Sequence, residues 1–139
     1  MTDRKGPILF RPYTAFSGMK KAFDMGNSRV LSTVKDAGLR GRGGAGFPVA
    51  TKWQFILGDT KEDHVGYSKD NFIVCNADEG EPGTFKDRVL LEEYLELLLE
   101  GMIIAGYTIR ASTGFLYLRG EYAFMWDRIK ETIIRWREE

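Results

Sequence analysis

The chain has 139 residues, enough for one domain with a real core. Its 43% hydrophobic and 29% charged residues give a globular balance, and 20 basic residues cancel 20 acidic ones, so no nucleic-acid surface is expected. Cys75 and His64 stand alone in their types, which excludes an intrachain disulfide, a cysteine-ligated cluster held by this chain and a His-rich metal site.

From the start, Met1 to Pro7 is polar and basic and no apolar h-region follows, unlike a signal peptide. Pro7 to Tyr13 reads as an extended lead-in. Phe16 to Met25 suits a short helix ended by Gly26. A second helix follows, with Ser28 as its N-cap, Val30, Leu31, Val34 and Ala37 on one face, and Gly38 at C′. After a glycine-rich loop, Pro48 suits the first position of a third helix carrying Lys52, Trp53, Phe55 and Ile56, stopped by Gly58.

Asp59 to Asn71 is polar and reads as a surface loop, followed by a compact strand, Phe72 to Cys75. A long helical stretch from about Phe85 to Ala111, with room for one interruption, leads to a second strand, Phe115 to Leu118. Tyr122 to Arg137 is the last helix, with Met125, Trp126, Ile129, Ile133 and Trp136 at helical spacing. The longest apolar run, Leu95 to Ile109, is broken by Glu96, Glu100, Gly101 and Gly106 and is too short and polar to span a bilayer. A cytoplasmic protein is the expectation.

Strand, helix, strand, helix is the order of an α/β fold with a parallel sheet and crossover helices. Two strands are too few, since parallel strands need both faces covered. Further strands must come from the lead-in near Leu9, from another chain or from a continuation. The expected fold is therefore a partial parallel sheet with a glycine-rich helix-to-helix loop.

Two loops carry the chemistry. In the first, Gly41, Arg42, Gly43, Gly44, Ala45 and Gly46 form a run of bare amides that ends in Phe47 and Pro48. Gly41, Gly43 and Gly46 fit the bare G-x-G-x-x-G spacing, but a helix precedes them where a Rossmann fingerprint wants a strand. The physics still suits an anion: glycines admit close approach, the next helix offers its N-terminus, and Arg40, Arg42 and Lys52 add charge. The bland alternative is a helix-to-helix linker. Phe47 is placed to stack on a ring, whereas the spacing of Trp53 suits core packing.

The second loop, Asn76 to Arg88, sets Asp78, Glu79 and Glu81 beyond the first strand, where open α/β sheets bind ligands. These carboxylates suit ribityl or ribose hydroxyls and the nicotinamide amide, and Asn76 can donate and accept. Pro82 and Gly83 make a sharp turn, with Lys86 and Arg88 to balance charge. A Mg²⁺ or Ca²⁺ site is a rival reading, and a solvated turn with ion pairs is the bland one.

Gly41 to Pro48, Lys52-Trp53, Cys75 to Arg88, Leu99 to Met102 and Tyr117 to Tyr122 together resemble the family of flavin- and NADH-binding subunits of respiratory complex I. That family includes the NAD-reducing hydrogenases and NAD-dependent formate dehydrogenases, and Tyr117 to Tyr122 looks most like the hydrogenase-linked branch. The resemblance implies an incomplete FMN/NADH-binding domain over residues 1–139. By it, Gly41, Arg42, Gly43, Lys52, Asn76, Asp78 and Glu79 would hold FMN, with Gly44, Ala45 and Gly46 completing the cofactor loop. Phe47, Phe55 and Glu81 would meet NADH. The implied activity is hydride transfer between NAD(H) and FMN, with no catalytic side chain, and electrons then pass singly to a [4Fe-4S] cluster.

Ala50 and Thr51 stand where the family usually has Gly-Leu. The family's second flavin motif, ubiquitin-like segment and cysteine-rich cluster motif have no counterpart, so the cluster would lie outside this chain. The chain is therefore read as the first half of the domain, a truncated product or one piece of a split subunit. The missing half, partner subunits or a second copy would complete it, and alone it is expected to be inactive. The alternative is a non-catalytic nucleotide-binding or assembly module. The final electron acceptor stays open among quinone, hydrogenase and formate dehydrogenase.

Overall fold

The computed structural model describes residues 12–57 and 68–138. In chain order these form α1 (Ser17–Met25), α2 (Asn27–Asp36), α3 (Val49–Leu57), β1 (Ser68–Ala77), α4 (Lys86–Glu93), α5 (Leu95–Ile109), β2 (Ala111–Leu118), a 3-10 helix (Gly120–Met125) and α6 (Trp126–Glu138). The expected lead-in strand near Leu9, Gly58 and most of the polar stretch after it lie outside the described residues.

Gly26 serves both helices beside it. Its N–H donates to the Ala22 and Phe23 carbonyls, and its own carbonyl accepts from Val30. It is therefore the N-cap of α2, in place of the expected Ser28. Its φ of 81° with ψ of 152° is open to glycine and closed to serine, and the Ser28 N–H turns to Asn27 Oδ1 at 2.8 Å. α2 stops as expected. Gly38 has φ 62°, its N–H reaches Lys35 O, and the Leu39 N–H reaches Val34 O, a Schellman closure. Pro48 lies one residue before α3, where its carbonyl accepts the Lys52 N–H.

The long helical stretch breaks at Tyr94, whose φ of −131° and ψ of 29° are not helical. Leu91, Leu95 and Leu99 still align across the break and form the core with Ala77, Met125 and Ile129. The last helix begins as 3-10 before α6 takes over at Trp126.

β1 and β2 pair in parallel, with Phe72 opposite Thr113 and Ala77 opposite Leu118. Both strands start earlier than their apolar residues suggested. Ser68 to Asn71, expected in a surface loop, belong to β1. Asn71 holds this polar end in place by donating from Nδ2 to Ile109 O at 2.8 Å. The helix-side face, with Ala77, Leu116 and Leu118, packs into the core. Phe72, Val74, Phe115 and Tyr117 are 51%, 62%, 53% and 61% exposed, and the Phe72 and Phe115 rings lie 6.1 Å apart. That bare apolar face is the incompleteness expected of a lone pair of parallel strands.

Candidate functional site

The glycine loop is a closed structure. Gly41 N–H donates to Phe47 O at 2.9 Å, and Val49 N–H donates to Leu39 O at 2.9 Å, making an antiparallel bridge between Arg40 and Pro48. Pro48 falls at the non-hydrogen-bonded position of that bridge, so its missing N–H costs nothing. Arg40 Nη1 donates across the loop to Gly46 O at 3.1 Å. A flexible linker would have none of these ties.

Within the closure, Gly44 and Gly46 take φ of 119° and 61°, conformations that need glycine. Gly43 has no such need, and a Cβ built on it meets nothing within 4 Å. Among the described residues, the amides from Arg42 to Phe47 donate to no protein acceptor. Arg42 and Lys52 are exposed and make no ion pair among those residues. Phe47 and Phe55 are 48% and 71% exposed, with ring centroids 6.4 Å apart. Trp53 is half-buried.

The acidic loop leaves the end of β1 with an Asx turn, Asp78 N–H donating to Asn76 Oδ1 at 2.9 Å. Asp78 and Glu81 are exposed, while Glu79 is only 4% exposed. Glu79 Oε1 accepts from Asp87 N–H at 2.9 Å, and Oε2 accepts from Arg88 N–H at 3.3 Å and Tyr122 Oη at 2.9 Å. Lys86 Nζ stands 3.9 Å from Oε1. Glu79 thus caps the N-terminus of α4 from outside the helix. Burial by itself would raise its carboxyl, but the Asp87 amide, the Tyr122 hydroxyl, the Arg88 amide and the Lys86 charge together hold it below the usual carboxylate range. Burial and then the Glu79 carboxylate push the Tyr122 hydroxyl upward.

Arg119 and Tyr122 are the residues that sequence reasoning missed. Arg119 Nη1 donates to the Glu79 carbonyl, its backbone N–H reaches Ala77 O at 3.2 Å, and Nε and Nη2 grip Glu121 at 2.7 and 2.6 Å. The Arg119 hydrogen bonds lower the Glu121 carboxyl to about 2. The Arg-Gly-Glu-Tyr stretch directly after a strand was the available signal, but its partners lie 40 and 43 residues back in the chain.

Expected charge balance is realised differently. Lys86 pairs with Asp87 at 2.6 Å, and Arg88 pairs with Glu92 at 3.0 Å, leaving Asp78 and Glu81 without ion pairs among the described residues. Nor do three acidic, histidine or cysteine side chains converge there as a metal ion would require. No hydrogen bond joins the two loops among those residues. Both are tied to one scaffold, because α3 and β1 each pack against α5. A groove of about 560 Å³ lies elsewhere, between α5, β2 and α6, lined by Met102, Ile103, Gly106, Ile133 and Trp136 and by no residue of either loop.

A parallel strand ending in a polar loop and a closed ring of open amides, both tied to α5, make an α/β module whose parts suit a phosphate-bearing ligand. Residues 34–139 match the Nuo51 FMN-binding domain, and the chain belongs to that family. It is 44% identical over 125 residues to an NADH-quinone oxidoreductase subunit of Streptomyces coelicolor, covering 90% of this chain and 26% of that protein. It is 41% identical over 136 residues to the alpha subunit of the NAD-reducing hydrogenase HoxS of Cupriavidus necator, covering 97% of this chain and 21% of that one. The crystal structure of an NAD⁺-reducing [NiFe]-hydrogenase in the air-oxidized state superposes with a TM-score of 0.81 at 44% identity, over 96% of this chain and 23% of that chain. The chain thus spans about a quarter of the length of these relatives. No helix among the described residues is long and apolar enough to cross a membrane.

Proposed function

We propose that this chain is the N-terminal part of an FMN/NADH-binding domain in an NADH-oxidising or NAD-reducing oxidoreductase. The observation that carries this reading is the closed glycine loop, with the amides of Arg42 to Phe47 open among the described residues and Lys52 one turn into the following helix. Gly41 to Gly46, Arg42 and Lys52 take the flavin phosphate. Asn76 and Asp78 take ribityl hydroxyls. Phe47 and Phe55 offer exposed aromatic faces to NADH, and Glu81 offers a polar contact. Bound FMN supplies the exchange between a hydride and single electrons, and the side chains bind and orient it. The electrons leave for an iron–sulfur cluster held outside this chain.

The bare sheet face at Phe72, Val74, Phe115 and Tyr117 supports completion by further polypeptide, either the rest of the domain or a partner subunit. The same face favours a second reading, a non-catalytic assembly module. Protein purified with FMN and treated with NADH under anaerobic conditions separates the two. A bound flavin spectrum that bleaches supports the redox module. A folded protein that releases flavin freely, alone and with the rest of the domain added, supports the assembly module.

A further inference from the structure

We propose that Arg119 and Tyr122 are positioning residues, which set the acidic loop through Glu79 without touching the cofactor. The inference rests on the flavin/NADH reading above and reassigns Glu79, expected from the resemblance to hold FMN directly. A carboxylate this buried is tolerable only when its oxygens are engaged. Here both are, by two α4 amides and the Tyr122 hydroxyl, with Lys86 nearby. With three acceptor sites filled and only 4% of the residue exposed, Glu79 has little left to offer a ribityl hydroxyl while it caps α4.

Its backbone is held as firmly as its side chain. Arg119 Nη1 takes the Glu79 carbonyl, and the remaining guanidinium nitrogens are fixed by Glu121. Arg119 also extends the β1–β2 pairing by one bond to Ala77 O, and Tyr122 N–H closes back on Arg119 O at 2.9 Å. The segment from Arg119 to Tyr122 is thus a strap across the end of β1. Asp78 precedes the pinned residue directly, and Glu81 follows two residues later, both exposed. Their directions follow from where Glu79 is anchored.

The test compares Tyr122→Phe, which removes one oxygen, and Arg119→Ala with the unaltered chain. Arg135→Ala serves as control, since it breaks only the surface pair with Glu96. Three quantities are read: FMN affinity by fluorescence quenching, the visible circular-dichroism band of bound FMN, and hydrogen exchange at the Asp87 and Arg88 amides. Tyr122→Phe is expected to weaken FMN about tenfold, speed those amides about tenfold and change the shape of the flavin band. A purely structural role would scale that band without reshaping it. Unchanged exchange, or faster exchange with unchanged flavin affinity and band, overturns the proposal. If the unaltered chain binds no FMN even with the rest of the domain added, the proposed function fails on its own. Faster exchange then still upholds the anchoring, and unchanged exchange overturns it. Should Arg119→Ala not fold, Tyr122→Phe decides.

Discussion

Glu100 Oε1 accepts the Met19 N–H at 2.8 Å, so a buried carboxylate on α5 caps α1 across 81 positions of sequence. Glu79 does the same for α4. Glu79 and Glu100 are 4% and 3% exposed; Glu79 satisfies two helix amides and Glu100 one that would otherwise be orphaned. Glu100→Ala should lower stability by about 2 kcal/mol in urea unfolding, with Glu100→Gln recovering part of the loss. An unchanged midpoint for the alanine variant would show that the contact contributes nothing.

The Glu79 cap has a pH signature. Its folded-state carboxyl is held low, so its contribution is complete above the unfolded carboxyl value of about 4.3 and is lost as pH falls through the lower folded value. Stability should therefore drop through that acid window. Glu79→Gln should flatten this part of the profile, which thermal melts from neutral pH downward would register.

Gly43 and Gly46 separate folding from binding. Gly46→Ala forces an L residue to φ 61° and should cost about 1 kcal/mol. Gly43→Ala meets open space and should leave the melting temperature alone; if the loop holds the flavin phosphate as proposed, the added methyl group should obstruct close approach and weaken FMN about tenfold. Flavin titration beside a melting curve checks both. Equal flavin affinity in Gly43→Ala would remove this loop from the binding site.

On the bare sheet face, Phe115→Thr should shift stability by less than about 1 kcal/mol, since its ring is 53% exposed. It should nevertheless reduce capture of the polypeptide proposed to complete the sheet. Sedimentation of the chain with a fragment encoding the remainder of the domain would show this directly.

How legible all this was depended on range. The Gly38 stop and the run of open amides could be read because glycine's role there is local. The bare sheet face could be anticipated because two parallel strands cannot cover themselves. The start of β1 could not, since Ser68 to Asn71 look polar: Ser68 pairs with Ala111 across a register shift, and Asn71 ties this end to a carbonyl at the end of α5. Arg110 ends α5 at φ 60°, a task sequence reasoning assigns to glycine. In the sequence Glu79 is one of three acids in the same loop. Only its burial, together with Tyr122 from a distant turn, sets it apart.

The parallel pairing of β1 with β2 also orders the assembly of the molecule. Neither strand can meet its partner until α4 and α5 have carried the chain back, so the Arg119–Tyr122 strap that anchors Glu79 belongs to the late, long-range stage of folding. The glycine loop closes through residues about ten apart or fewer and has no such wait. One half of the site would take shape on a clock of its own, ahead of the half that depends on the sheet.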